Sequence, residues 1–160
     1  MEFTSGNVKE FDEFIKSLNL KHFDPYEVRV HCEHPKNGLP PKKYWKNIAS
    51  TLWMLDVMRE EFGSAIHLNS VYRSPAYNRS IPGAAKNSNH KYFCACDCSF
   101  FKLKVDAKLR DRIDKVLRRG LKNGTIERAG RGYYAGRFIH IDTNHNNGER
   151  PKGVLATWNG

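Results

Sequence analysis

His90, Asp97 and His140 are the residues with which this sequence could do chemistry. His90 closes a polar, turn-rich stretch, and Asp97 follows inside a run that reads as a strand. His140 lies in another such run, Arg137-Phe138-Ile139-His140-Ile141-Asp142. One histidine on a loop, with an aspartate and a histidine on neighbouring strands, can converge on a single point. Two imidazoles and a carboxylate suit Zn²⁺, and three protein ligands leave a fourth position for water, as in catalytic rather than structural zinc sites. The bland alternative is a solvated loop histidine at 90 and a half-buried strand histidine with a backbone partner at 140. With 7 histidines in 160 residues, a pair near an aspartate carries little weight by itself.

Periodicity supplies the elements that would position these groups. Val8, Phe11, Phe14, Ile15 and Leu18 recur at three- and four-residue steps and predict a short amphipathic helix over 8–18. Asp24, Pro25 and Glu27 form a capping signature for a second, brief helix. Ile48, Leu52, Leu55, Met58 and Phe62 predict the main helix, from near Pro41 to a stop at Gly63. Residues 66–72 read as a strand, 74–90 as a long ordered loop and 94–101 as a second strand. Leu109, Ile113, Val116 and Leu117 predict a helix over 106–121. Short glycine-punctuated strands follow from Thr125 to Thr143, then a loop over 144–153, with Trp158 packing back on the core. The expected fold is α+β in one domain: a small, mainly antiparallel sheet carrying the zinc site, flanked by three or more helices.

Three segments resemble motifs of the zinc D-alanyl-D-alanine carboxypeptidase family, which includes VanX- and VanY-type enzymes, phage endolysins and the related hedgehog domain. Ser88-Asn89-His90-Lys91-Tyr92-Phe93-Cys94-Ala95-Cys96-Asp97 is similar to the S-x-H-x-x-G-x-A-x-D signature. Asn69 to Asn78, NSVYRSPAYN, looks like the S-x-Y-R-S-x-x-x-N segment. Gly136 to Asp142 resembles the strand bearing the last metal ligand. Order and separations agree, and the resemblance spans roughly residues 21–158. It implies that His90, Asp97 and His140 hold Zn²⁺ and that Arg73 steadies the oxyanion. It also implies that Ser88, Asn78 and Tyr72 support substrate or the loops around it. Bottom-up chemistry suits these roles: zinc lowers the pKa of bound water and polarises a carbonyl, and a guanidinium binds developing negative charge through paired donors. The alternatives are a surface salt bridge for Arg73 and loop-bracing hydrogen bonds for Ser88 and Asn78.

Two departures stand out. Phe93 replaces the signature glycine, which suggests a different loop path or a narrowed cleft. The general base is also missing from its usual place: relatives often carry Glu or His shortly before the last ligand, where this chain has Tyr134, Arg137 and Phe138. Asp142, two residues after His140, would share its strand face and could act as a base or orient an imidazole, the latter being the favoured role. Glu127 and His145 are weaker candidates.

Cys94, Cys96 and Cys98 could form a thiolate site, but strand alternation points them away from Asp97, toward packing as reduced thiols. His31-Cys32-Glu33-His34 reads as a solvated loop rather than a metal cluster. The chain carries a net charge of +10, which favours an anionic partner such as a wall polymer, nucleic acid or a membrane surface. Lys108, Arg112, Lys115 and Arg119 form a basic stripe, which is either a solvated face or a contact for wall polymer or phosphates. No zinc-finger, RRM or KH signature supports nucleic acid, and no apolar run approaches a membrane span. The opening MEFTSGNVKEFDEF has early acids and no apolar core, which reads against Sec export.

These features point to a zinc metallopeptidase that cleaves peptidoglycan stem peptides, as a D,D-carboxypeptidase or endopeptidase. It would be made in the cytoplasm and act at the bacterial wall in phage-type lysis or entry, through a holin or inside a virion. The rivals are a non-catalytic zinc-containing module of the same fold and a basic nucleic-acid-binding domain.

Overall fold

The computed structural model describes residues 1–143 and 150–160. Among these, the α-helices are α1 (Ser5–Ser17), α2 (Pro25–Arg29), α3 (Ala49–Phe62), α4 (Pro75–Ser80) and α5 (Ala107–Lys122). The strands β1 (Ile66–Ser70), β2 (Ala95–Phe100), β3 (Ala129–Tyr134), β4 (Phe138–Asp142) and β5 (Leu155–Asn159) form one sheet in the order β1-β2-β4-β3-β5. All neighbours run antiparallel except β3 and β5. The α+β class expected from the sequence is therefore the one observed. No helix among the described residues is long and apolar enough to cross a membrane.

Local chemistry explains the helix boundaries. At α2 the Asp24 carboxylate accepts from the Glu27 amide at 3.0 Å, and Glu27 accepts in turn from the Asp24 amide at 3.1 Å. That reciprocal box starts a helix too short to start itself. The main helix is shorter than its apolar pattern suggests. Lys42–Ile48 is a 3-10 segment, and only Ala49–Phe62 is α-helical. Pro40 and Pro41 hold the chain extended at that end, and the Trp45 indole donates to the Pro40 carbonyl at 2.8 Å, so the first turns wind tightly around a buried ring. Gly63 ends α3 at φ +59°, where glycine carries no side-chain penalty.

The expected loop at 74–90 contains α4, capped by Ser74, and runs into a 3-10 turn at Asn89–Tyr92. The chain after Val154, expected only to pack back, adds β5 as a fifth strand beside β3. A strand of this composition, Leu-Ala-Thr-Trp-Asn, has too little alternation to be recognised without its partner.

Alternation separates the two faces of the sheet. Cys96 and Cys98 of β2, with Ile139 and Ile141 of β4, join Leu52, Leu55, Ile113 and Leu117 in the core. Asp97, His140 and Asp142 take the opposite face. All four cysteines are buried and outside any disulfide, and burial pushes Cys96 and Cys98 well above the usual thiol range. Arg131 of β3 clamps α5 to the sheet, its Nε and Nη2 donating to the two Asp114 oxygens at 2.9 Å each.

Phe93 occupies the signature-glycine position with a glycine-like backbone, φ +53°. Its ring is fully buried and packs against Phe11 and Tyr72, with centroids 5.8 and 6.1 Å away. It therefore fills the core and does not narrow the cleft, correcting that expectation. A left-handed non-glycine residue costs about 1–2 kcal/mol, and burial of the ring offsets it. Phe93→Ala, which keeps the strain and loses the ring, is expected to lower stability by about 3–5 kcal/mol. Phe93→Gly should cost roughly 1 kcal/mol less, because the strain goes too. Urea denaturation of both variants checks this, and the reverse order would contradict the account.

Candidate metal centre and cleft

Three segments deliver the central side chains. Ser88 caps the 3-10 turn, its Oγ accepting from the His90 amide at 3.4 Å, and so presents His90 beside β2. Asp97 and His140 are direct cross-strand partners in the β2–β4 register, which places them on one face at the closest approach a sheet allows. His90 Nε2 stands 3.2 Å from Asp97 Oδ1 and 3.2 Å from His140 Nδ1, and His140 Nδ1 stands 2.9 Å from the same Asp97 oxygen. His90 is 2%, Asp97 4% and His140 9% exposed, so solvent alone does not account for their mutual approach.

The far side of each imidazole is also held. His90 Nδ1 lies 2.7 Å from the Val71 carbonyl, which fixes Nδ1 as the donor and leaves the Nε2 lone pair facing inward. His140 Nε2 lies 3.1 Å from Asp142 Oδ2, so Nε2–H donates and Nδ1 faces inward. Asp142 is fully buried, and its Oδ1 accepts from Arg150 Nη1 at 2.6 Å. Both of its oxygens are thus engaged behind His140, a position for orienting a ring rather than for taking a proton from a substrate. Of the two roles open to Asp142, base or orienter of an imidazole, this geometry favours the second.

Burial and charge pull the acid–base properties in opposite directions. Burial works to lower the His140 pKa, but hydrogen bonds to Asp142 and Asp97 outweigh it and raise the value to about 9. For His90 burial prevails over the pull of Asp97, and its pKa falls. Burial would raise Asp97 and Asp142, yet His90 and His140 hold the first, and His140 with Arg150 the second, below the usual carboxylate range.

A bulge in the β1–β2 register skips Asn69 and brings Ser70 opposite Asp97. Ser70 Oγ then accepts from Arg73 Nε at 2.9 Å, and Arg73 Nη2 donates to Asp97 Oδ2. Arg73 is thus a largely buried neighbour of the cluster and not a surface salt bridge. The cluster forms the floor of a cleft of about 790 Å³. Arg73, Ser88 and the 81–85 loop lie along its walls, with Tyr134, Phe138 and Trp158 also lining it.

Tyr72 and Asn78 are not part of that lining. Tyr72 is 4% exposed against Phe93, where burial pushes its hydroxyl up to about 12. Asn78 is buried and donates to the Ala85 carbonyl at 3.0 Å, bracing the 81–85 loop from behind. Glu127 pairs with Lys152 at 2.8 Å outside the cleft, and His145 lies outside the described residues. His31 is not in a metal cluster; its Nε2 meets the Leu68 carbonyl at 2.9 Å. The basic stripe of α5 is largely engaged: Lys115 pairs with Asp111 at 2.8 Å, Arg119 with Glu61, and Arg112 lies 4.2 Å from the Phe62 ring centroid.

Trp158 and Arg150 are the site residues that the sequence did not disclose as such. Gly132 pairs with both His140 and Trp158 across the sheet, and a side chain there would collide with the indole. The gap lets Trp158 lie 5.5 Å from the His140 ring. Gly130, opposite Asp142, likewise leaves room for the Asp142–Arg150 pair. The Gly-x-Gly spacing at 130–132 was the available signal, since glycine in a strand interior often marks close approach of another group.

Ligand atoms at the corners of a tetrahedron, each 2.0–2.1 Å from zinc, stand about 3.3 Å apart. The three inward-facing atoms are 2.9–3.2 Å apart. The donor set and its spacing therefore fit Zn²⁺ with only slight spreading. No curated protein and no solved structure matches the chain significantly. A family model described as Peptidase M15 does match, over residues 21–142, covering both histidine-bearing motifs and Arg73. On the strength of that match across most of its length, the chain belongs to the Peptidase M15 family of zinc-dependent peptidases.

Proposed function

We propose that this protein is a zinc peptidase acting on peptidoglycan stem peptides at a bond involving a D-amino acid, with His90, Asp97 and His140 as the metal ligands. The observation that carries the metal assignment is the convergence of three inward-facing donor atoms on the floor of one open cleft. When bound there, zinc would lower the pKa of a water to about 7 and polarise the scissile carbonyl. The chain's own residues do the rest. The cleft walls align the peptide, and Arg73, held by Ser70 and Asp97, offers guanidinium donors to the oxygen that gains negative charge. Asp142, itself fixed by Arg150, keeps the His140 ring turned with Nδ1 inward.

The open cleft suits a cross-linked or polymer-attached peptide as well as a short one. The net charge of +10 favours adhesion to an anionic wall. A phage-type lysis or entry role agrees with the basicity. Purified sacculi test the reading directly. Release of D-alanine or of uncross-linked peptides, abolished by a chelator and restored by zinc, is the expected result. A zinc-loaded protein that leaves sacculi and D-alanyl-D-alanine peptides intact would overturn it.

Asp142→Asn probes the positioning role. Zinc affinity is expected to fall by about 10–100-fold, as for other groups that orient a ligand, and activity should recover substantially at saturating zinc. Competition against a chromophoric chelator measures the first effect. If activity stays lost at full zinc occupancy, Asp142 takes part in the reaction itself.

A further inference from the structure

Arginines line the cleft in unequal states. Arg73 is paired with Asp97, and Arg150 with Asp142. Arg137 also lines the cleft, is exposed, and forms no ion pair among the described residues. It sits on the β3–β4 turn, where Gly136 adopts φ +68° and the Arg137 amide donates to the Tyr134 carbonyl at 2.9 Å. The turn is flanked by the Tyr134 and Phe138 rings, stacked with centroids 4.5 Å apart. The backbone of Arg137 is therefore fixed while its guanidinium is in no ion pair with the described residues. Arg137 precedes His140 by three residues, about 10 Å along a strand. A substrate peptide lying in the cleft over that span would cover the distance in about three residues, fewer once the arginine side chain reaches inward.

We propose that Arg137 is a specificity-determining residue that binds a substrate carboxylate one or two residues from the scissile bond. The inference rests on the zinc-peptidase reading of the cleft. A guanidinium fork matches a carboxylate in shape and charge, and unlike Arg73 and Arg150 this one has no internal carboxylate among the described residues to satisfy it. The carboxylate has two possible sources, the C-terminus of the peptide or an acidic side chain within it. The first makes the enzyme a carboxypeptidase; the second is compatible with endopeptidase action.

The test uses hydrolysis-resistant ketomethylene isosteres of N-acetyl-lysyl-D-alanyl-D-alanine, as free acid and as C-terminal amide. A third probe is the amide with diaminopimelate in place of lysine. Each is titrated calorimetrically into the zinc-loaded chain, wild type and Arg137→Gln. A C-terminal anchor predicts that the acid binds the wild type at least about tenfold more tightly than the amide, and that Arg137→Gln removes this preference. A side-chain anchor predicts the same loss for the diaminopimelate probe alone. In both cases zinc content and lysine-amide binding should be unchanged, and Arg137→Lys should restore only part of the preference because it lacks the fork. Equal binding of all probes by wild type and Arg137→Gln overturns the anchor. Sacculus digestion in parallel separates the two levels. Digestion by the wild type with no role for Arg137 removes the anchor alone, whereas no digestion and no binding removes the peptidoglycan reading with it.

Discussion

His140→Ala is expected to lose zinc and turnover together. Metal analysis should fall from about one zinc per chain to well below that, since two ligands remain where a catalytic site uses three. Turnover should drop by more than about 100-fold, because losing even a group behind a ligand costs 10–100-fold. The reason is geometric. All three donors touch one another, and His140 in addition carries the Asp142–Arg150 pair behind it. Its removal leaves Asp97 with fewer partners and Asp142 with Arg150 as its remaining ion-pair partner among the described residues. Circular dichroism must therefore accompany the assay, and His140→Gln provides a variant that keeps a polar group against Asp142. Zinc bound at wild-type stoichiometry in a folded His140→Ala protein would rule out the proposed centre.

Arg73→Ala is expected to retain zinc and lose about 10²–10³-fold in kcat, the usual cost of removing one group that stabilises the oxyanion. The loss should fall mainly on kcat and not on KM, because charge on the carbonyl oxygen develops only in the transition state. Breaking a buried ion pair is itself destabilising by about 3–5 kcal/mol when a bare charge is left behind. Here zinc and two imidazoles stay beside Asp97, which softens that penalty in the loaded protein. A melting curve with and without zinc separates the effects. Arg73→Lys, which keeps the charge but not the fork, should recover part of the rate. A variant with normal kcat would remove Arg73 from the reaction and leave it as a brace for Asp97.

Much of this arrangement was legible because it is local. The Asp24–Glu27 box needs four consecutive residues. The apolar faces of α3 and α5 follow from steps of three and four, and the core-facing cysteines of β2 follow from a period of two. The motifs around Arg73, His90 and His140 led to the family that the match over 21–142 shows. Other features were hidden because they depend on partners far along the chain. The tight 3-10 entry to α3 requires Trp45 to be buried. Strand β5 exists because β3 offers it an edge. Tyr72 and Asn78 stand inside a matching motif, yet packing turns the first into the core and the second onto the back of a loop.

The sequence by itself determined the kinds of donor, the strands that carry two of them and the alternation that sets them on one face. Tertiary structure alone decided the distances. A one-residue bulge in β1 puts Ser70, and through it Arg73, beside Asp97. Two glycines on β3 make room for Trp158 over His140 and for Arg150 on Asp142. Periodicity describes a residue's own element, whereas register, bulges and the space beside a glycine are properties of pairs of elements, and only the folded chain brings those pairs together.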